Sequence, residues 1–264
     1  AGCHPAPGAG AISPDWRLKL TNPDFMPPLD ARARRHHRTA VWCGTLFTIG
    51  VPLGWGLMAS FLTPPLSPSA TPEELAAFIT AGGVRQKIGI MLALAGVGGL
   101  LPMSAVLGDQ MRRMEGPRPI WAQAQLACAG LTVWLLSAAL IFFAAATFRA
   151  DRNPQLIQLL HDLGWLTLVT PVAMIVVWMG SVGAAILGDR GQPPVMPRWV
   201  GYFSVWAALL SAPGFAALLF HSGPFAWSGL LVLWIPLAVF LAWWIILTVY
   251  LLAAIREEGN ANSA

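Results

Sequence analysis

The sequence predicts an all-α membrane protein, a bundle of six transmembrane helices arranged as three hairpins. Only 11% of the 264 residues are charged, against about 25% in an average soluble domain. The mean hydropathy is +0.62. Six apolar runs without Asp, Glu, Lys or Arg are each long enough to cross a hydrocarbon core, which takes about 20 residues. The runs are 41–62, 88–108, 121–147, 166–187, 200–220 and 229–255.

Two β alternatives do not fit these runs. Strands of a buried parallel sheet are about 4 to 8 residues long, which is far shorter than the runs here. Strands of a membrane barrel alternate polar and apolar residues, and these segments do not alternate. Helices satisfy their own backbone hydrogen bonds within a lipid environment, so they are the expected spanning element.

We expect three regions along the chain. Residues 1–38 form a flexible basic leader, rich in Pro, Gly and Ala towards its start. Residues 39–256 form the six-helix transmembrane domain, and residues 257–264 form a short tail.

The distribution of positive charge predicts the orientation in the membrane. If the leader is cytoplasmic, twelve Lys and Arg residues fall on the cytoplasmic side and four fall outside. The positive-inside rule therefore places both termini in the cytoplasm. The cluster RARRHHR (32–38) would orient the first helix and contact anionic lipid headgroups, so nucleic acid is not expected as a partner.

The loops on the predicted outer side carry signals for short amphipathic helices. Thr71 and Glu74 have the spacing of a capping box with Pro72 between them. Asn153 followed by Pro154 predicts another helix start. The leucines at 156, 159, 160 and 163 share one face of that second helix. We expect this face to lie in the membrane interface, with the charged residues towards water and Gly164 ending the helix.

Both inner connections begin with Leu-Gly-Asp, at 107–109 and 187–189. Glycine directly after a helix favours a left-handed cap, so Gly108 and Gly188 are predicted to end their helices. The repeated ending also hints at an internal duplication.

Proline occurs in every predicted span except the third. Because proline removes one backbone hydrogen bond and bends a helix, bends at matched depths would open a crevice towards the outer leaflet. Proline is also simply common in membrane helices. The prolines are Pro52, Pro102, Pro171, Pro213 and Pro236.

Polar residues gather in FRADRNPQLIQLLHDLGW (148–165), and this stretch supplies the candidate site. His161 could pair with Asp151 or His221, in a group suited to proton transfer or to binding a polar headgroup. The simpler interpretation is that these polar residues gather there because this part of the chain is exposed to water. The six residues predicted to line the mouth of a crevice are His161, Asp162, Trp165, Pro171, His221 and Trp234.

Tryptophan is abundant, and Trp165 is expected at the outer membrane boundary. Buried indoles need partners for their N–H groups. The hydroxyl candidates are Thr48, Ser137, Thr170, Ser181 and Ser211. Apolar walls with few hydroxyls suit a hydrophobic ligand, and they suit a lipid-facing surface equally well.

The predicted spans lack the residues that several kinds of membrane protein chemistry require. There is no intramembrane carboxylate, Lys or Arg for an ion pump and no Lys for a Schiff base. No histidine pair for haem and no multi-histidine cluster for a metal pair is present. We therefore expect no cofactor and no metal.

The layout resembles uncharacterised bacterial six-helix integral membrane proteins. The stretch NPQLIQLLHDLGW (153–165), followed by a proline-bearing helix, carries the resemblance together with PRWVGYFSVW (197–206). It covers most of residues 35–256. The resemblance implies a bacterial inner membrane location and no known activity, so no catalytic residue is carried over.

These observations lead to three functional hypotheses. The first is a non-enzymatic protein that binds or passes a hydrophobic small molecule or lipid through an outward-opening crevice. The second is an accessory subunit of a larger membrane complex, with Gly and Ala faces against partner helices; a homo-oligomer is also kept open. The third is a membrane enzyme that uses His161 or His221 as acid or base.

Overall fold

The computed structural model describes residues 29–149 and 151–261, so most of the predicted leader lies outside the described residues. Within these ranges the chain forms helices and no strand. The α-helices are α1 (Ala31–Val51), α2 (Pro72–Val97), α3 (Leu100–Glu115), α4 (Ile120–Phe148), α5 (Pro154–Val169), α6 (Val172–Gly188), α7 (Arg198–Ser211) and α8 (Ile235–Ala261). Three other helical segments are Pro52–Met58 and Leu230–Trp234, both π-helical, and Ala212–Leu218, a 3₁₀-helix.

These elements combine into six segments that are long and apolar enough to cross a membrane. They are Ala31–Met58, Pro72–Glu115, Ile120–Phe148, Pro154–Gly188, Arg198–Leu218 and Leu230–Gly259. Each overlaps one of the predicted runs, which confirms the predicted helix bundle. The protein is therefore a multi-pass integral membrane protein. We number these segments span 1 to span 6.

The bundle has two ends, which we call the terminal end and the far end. The terminal end holds the start of α1, the end of α8 and the connections α3–α4 and α6–α7. There Arg113 and Glu258 form an ion pair at 3.0 Å, and His37 lies 3.7 Å from Asp109. The far end holds the connections 59–71 and 219–229 and the described residues between α4 and α5, which are 149 and 151–153. Because the number of spans is even, the start of α1 and the end of α8 lie at the same end.

The predicted capping box is confirmed at the far end. The amide of Glu74 donates to the Thr71 hydroxyl at 3.3 Å, and the amide of Thr71 donates to the Glu74 carboxylate at 2.8 Å. Gly83, with φ +48°, interrupts the α2 backbone. This left-handed conformation suits glycine, and it separates the capped helix at the far end from the rest of α2.

The helix start predicted at Asn153 is also confirmed, because its side chain accepts from the Gln155 amide at 2.9 Å. Gly164 does not end the helix, since α5 continues to Val169. The face that carries Ile157 and His161 is buried, whereas Leu156 and Leu159 are more than half exposed. Leu156 and Leu159 therefore point away from the bundle, where lipid can cover them, whereas Leu160 packs partly against the core.

The glycine caps predicted on the inner connections are wrong. Gly108 lies within α3, which runs to Glu115 and stops at Gly116 with φ +76°. A Cβ on Gly108 would lie 2.7 Å from the Gln125 amide nitrogen, so this glycine allows close packing of α3 on α4. Gly188 is the last residue of α6 and has no left-handed backbone.

Small residues bring spans 1 and 2 into close contact. A Cβ on Gly50 would lie 3.1 Å from the Cα of Gly96, and the backbone of Gly54 approaches that of Gly89 similarly closely. Gly50 and Gly54 have the spacing of a G-x-x-x-G motif, and both are used here for packing within the chain.

Candidate functional site

Five of the six spans are interrupted in the described part of the chain. Span 1 changes to a π-helix at Pro52, and span 4 breaks at Thr170–Pro171. Span 5 becomes a 3₁₀-helix around Pro213, and span 6 begins as a π-helix before Pro236. Span 2 breaks at Gly98–Gly99, shortly before Pro102. Only span 3, which lacks proline, is one uninterrupted α-helix, so the pattern of prolines predicted correctly which span stays regular.

A cavity of about 140 Å³ lies where these interruptions meet. Each interrupted span contributes lining residues at or beside its interruption. These residues are Val51 and Trp55 in span 1, Val97 in span 2, Val169 and Val172 in span 4, Ser211 and Gly214 in span 5, and Val232, Leu233 and Pro236 in span 6. Irregular backbone at membrane depth therefore borders an internal space here, which is where such backbone is tolerated.

The continuous helix α4 shows that the cavity is elongated. Its lining residues recur at helical spacing from Thr132 to Phe143. At 1.5 Å per residue this face is about 16 Å long. The residues are Thr132, Leu136, Ala139, Leu140 and Phe143. A narrow volume of this length fits a hydrocarbon chain better than a compact ring.

An aromatic cluster closes the cavity on the side of the far end. We define the aromatic cluster as Trp55, Phe61, Phe143, His161, Trp165 and Trp227. Trp55 and Phe143 belong to both the cluster and the cavity wall, with ring centroids 5.7 Å apart. Trp165 and Trp227 stack at 6.3 Å with an angle of 4° between their planes. Both indoles are buried.

His161 lies inside this cluster, with only 1% of its surface exposed. Its Nε2 accepts a hydrogen bond from the Trp165 indole N–H at 3.1 Å. This nitrogen therefore carries a lone pair, which places the proton of the neutral ring on Nδ1. Nδ1 lies 3.9 Å from the Asp162 carboxylate, which is longer than a hydrogen bond.

The predicted site residues are only partly brought together. His161, Asp162 and Trp165 lie next to one another, but His161 is buried and pairs with neither Asp151 nor His221. Trp165 is buried in the cluster rather than exposed at a membrane boundary. Pro171 marks the break in span 4 between two cavity-lining valines. His221 is exposed at the far end, and Trp234 is 38% exposed.

None of the six predicted residues lines the cavity itself, and their proposed role at a crevice mouth stays a prediction. The residues that sequence reasoning did not assign to a site are Trp55, Phe61, Thr132, Phe143, Ser211 and Trp227. Proline positions could have indicated several of them, because Trp55 and Ser211 lie within three residues of Pro52 and Pro213.

The cavity wall carries very few polar atoms. Ser211 donates its hydroxyl hydrogen to the Ala207 carbonyl at 2.8 Å, within its own helix. The Trp55 indole N–H and the Thr132 hydroxyl are buried and have no hydrogen-bond partner among the described residues. Such orphan groups are uncommon, because leaving a buried donor unpaired costs about 1–3 kcal/mol.

The other buried indoles are satisfied, but not by the predicted hydroxyls. Trp178 donates to the Gln125 side chain at 3.2 Å, and Trp243 donates to the Ser204 hydroxyl at 2.9 Å. Trp244 donates to the Gly44 carbonyl at 3.3 Å. Trp55 is therefore exceptional among the tryptophans of the core.

Among the described residues no group of three or more His, Cys, Asp or Glu side chains could hold a metal ion. The chain matches no family model, no curated protein and no solved structure.

Proposed function

We propose that this integral membrane protein binds the hydrocarbon chain of a lipid, or of another chain-like hydrophobic molecule, in the apolar cavity. The observation that carries this proposal is the position of the cavity, since all five interrupted spans line it at or beside their interruptions. Regular helices would pack more closely there. The chain instead keeps an elongated apolar space, the usual character of a small-molecule site.

The aromatic cluster favours a protein that binds its ligand over one that lets the ligand pass through. His161, Trp165 and Trp227 are all buried between the cavity and the far-end connections. A molecule that crossed from the cavity to the far end would have to displace these rings. We therefore propose a protein that holds its ligand, with the cluster closing one end of the site.

The positive-inside rule supports an orientation for this site. The terminal end carries most of the Lys and Arg residues, so we propose that it faces the cytoplasm and that the aromatic cluster lies towards the outer side.

The chain-binding proposal can be tested with a long-chain alkane that carries a photoreactive diazirine. The purified protein in nanodiscs is illuminated with the probe, and labelled peptides are identified by mass spectrometry. We expect labelling of cavity residues such as Leu136 and Leu140 in addition to lipid-facing residues such as Trp134, which is 68% exposed. Labelling confined to the lipid-facing surface would overturn the proposal.

A matched pair of variants sharpens this test. Ala139 lines the cavity and is 1% exposed, whereas Ala127 is exposed on the same helix. Ala139→Phe should fill the space and lower labelling of the cavity residues at least about tenfold, a loss equivalent to about 1.4 kcal/mol. Ala127→Phe should leave that labelling unchanged. Circular dichroism and size-exclusion chromatography verify that both variants fold.

A further inference from the structure

We propose that the ligand carries an oxygen acceptor, such as an ester, amide or ketone carbonyl or a hydroxyl, which accepts a hydrogen bond from the Trp55 indole N–H. This inference rests on the proposed chain-binding function and names the chemical class of the ligand. The observation behind it is a buried donor without a partner on the wall of an otherwise apolar cavity.

The Trp55 ring is held in place by its neighbours. Its centroid lies 5.3 Å from Trp165, 5.7 Å from Phe143 and 6.0 Å from Phe61. Only 4% of Trp55 is exposed. Indole nitrogen can only donate, and rotation of the packed ring towards another acceptor would disturb three aromatic contacts. The described residues supply no oxygen, nitrogen or sulfur acceptor for this hydrogen, and we infer that a bound molecule supplies it.

Thr132, the other described residue on the cavity wall with an unpaired polar group, is a weaker candidate for ligand recognition. A threonine hydroxyl on a helix can rotate and donate to the carbonyl four residues earlier. Thr48, Thr170 and Thr248 all do so in this structure, at 3.2, 2.6 and 2.9 Å. The same rotation is open to Thr132, whereas Trp55 has no equivalent, so of these two groups on the cavity wall only Trp55 needs an acceptor from a ligand.

The positions of Trp55 and Thr132 also indicate how the ligand would be oriented in the cavity. Trp55 contacts Phe143 at the far-end limit of the cavity, and Thr132 lies about 16 Å away along α4. An oxygen at Trp55 leaves the apolar chain to extend towards Phe47 and Phe240, which line the opposite part of the cavity. The polar end of the ligand therefore lies beneath the aromatic cluster.

The experiment compares two probes of equal length, a diazirine-bearing alkane and the matching diazirine-bearing long-chain methyl ester. Labelling of cavity residues is measured for the wild-type protein, for Trp55→Phe and for the control Trp134→Phe, which changes a lipid-facing indole. We expect wild type and Trp134→Phe to prefer the ester by about 2- to 10-fold, the effect of one net hydrogen bond. In Trp55→Phe the preference should vanish, while the alkane still labels the cavity.

The outcomes separate the two proposals. If neither probe labels the cavity, the chain-binding function is wrong. If both probes label it equally in the wild-type protein, chain binding stands and the acceptor proposal is overturned. An ester preference that survives in Trp55→Phe would also overturn it, because another group would then hold the oxygen.

A measurement on the wild-type protein covers the case in which Trp55→Phe fails to fold. The indole N–H signals are recorded by ¹H–¹⁵N NMR with each probe. The ester should shift one indole proton downfield, and the alkane should not. Identical spectra with the two probes would contradict the proposal, as expected if the ring face of a neighbouring aromatic already satisfies the Trp55 N–H.

Discussion

Trp165 donates its indole hydrogen to Nε2 of His161 at 3.1 Å, across one turn of α5. Both side chains are almost completely buried. The hydrogen bond fixes the histidine tautomer and occupies the lone pair of Nε2, which is the nitrogen of the neutral ring that could accept a proton. The pair therefore acts in this structure as a structural element of the aromatic cluster.

The first prediction concerns the stability of this pair. His161→Ala should lower the free energy of unfolding by about 2–4 kcal/mol, because it leaves the Trp165 N–H unpaired and opens a space among aromatic rings. Unfolding in mixed micelles with increasing denaturing detergent measures the change. The control His221→Ala alters an exposed histidine and should change stability by less than about 0.5 kcal/mol. Equal stability of the two variants would show that the His161 hydrogen bond contributes nothing.

A second prediction concerns Gln125, which joins three spans. Its amide donates to the Ser104 carbonyl at 3.0 Å and its oxygen accepts from Trp178 at 3.2 Å. Gln125→Leu should cost about 1–3 kcal/mol, since the Trp178 N–H loses its acceptor. Gln123→Leu on the same helix changes an exposed residue and serves as the control in the same unfolding assay. A loss of similar size in both variants would contradict the role of the buried amide.

The third prediction concerns the ion pair that ties α8 to α3 at the terminal end. Arg113 contacts Glu258 at 3.0 Å and Gln110 at 2.6 Å. Because Arg113 is partly exposed, Glu258→Gln should lower stability by no more than about 1 kcal/mol. The loss should shrink as salt is raised, since salt screens exposed pairs. Glu257→Gln changes an exposed neighbour and should have no effect; a salt-independent loss at Glu258 would argue against an ionic contribution.

The fourth prediction tests the proposed orientation. In a chain whose three cysteines are replaced by alanine, Ser222→Cys introduces a thiol at the far end and Ala31→Cys one at the terminal end. Both positions are exposed. A membrane-impermeant maleimide applied to intact cells should label Ser222→Cys, and should label Ala31→Cys only after lysis. The reverse pattern would invert the orientation and place the aromatic cluster on the cytoplasmic side.

Local signals in the sequence predicted local structure well. The Thr71–Glu74 capping box and the Asn153 cap both depend on groups within three residues of each other, and both are present. The six spans were also predictable, because crossing a bilayer imposes a length and a composition that few other structures share.

The inward face of α5 was not predictable from periodicity. The leucine stripe of α5 predicted a face lying in the membrane interface, but it did not indicate that the opposite face, with Ile157 and His161, is buried against the bundle. In a bilayer Leu156 and Leu159 can face lipid without cost, while His161 needs the protein interior to find its partner. Hydrophobic periodicity alone therefore does not distinguish inside from outside within a membrane.

The cavity could not be predicted from the sequence, for a related reason. Its wall combines residues from all six spans, and whether Trp55 has a partner depends on every element packed around it. Proline positions indicate where helices are interrupted, but only the assembled bundle shows that five interruptions surround one space.

The contrast between α4 and its neighbours has a mechanical consequence. In the described part of the chain, one wall of the cavity is a continuous helix, while each of the other spans is interrupted beside the cavity. The interrupted spans should therefore be more flexible than α4. We expect thicker or branched chains to be accommodated by movement of these spans relative to α4. The choice of ligand would then depend more on the polar end of the molecule than on the thickness of its hydrocarbon chain.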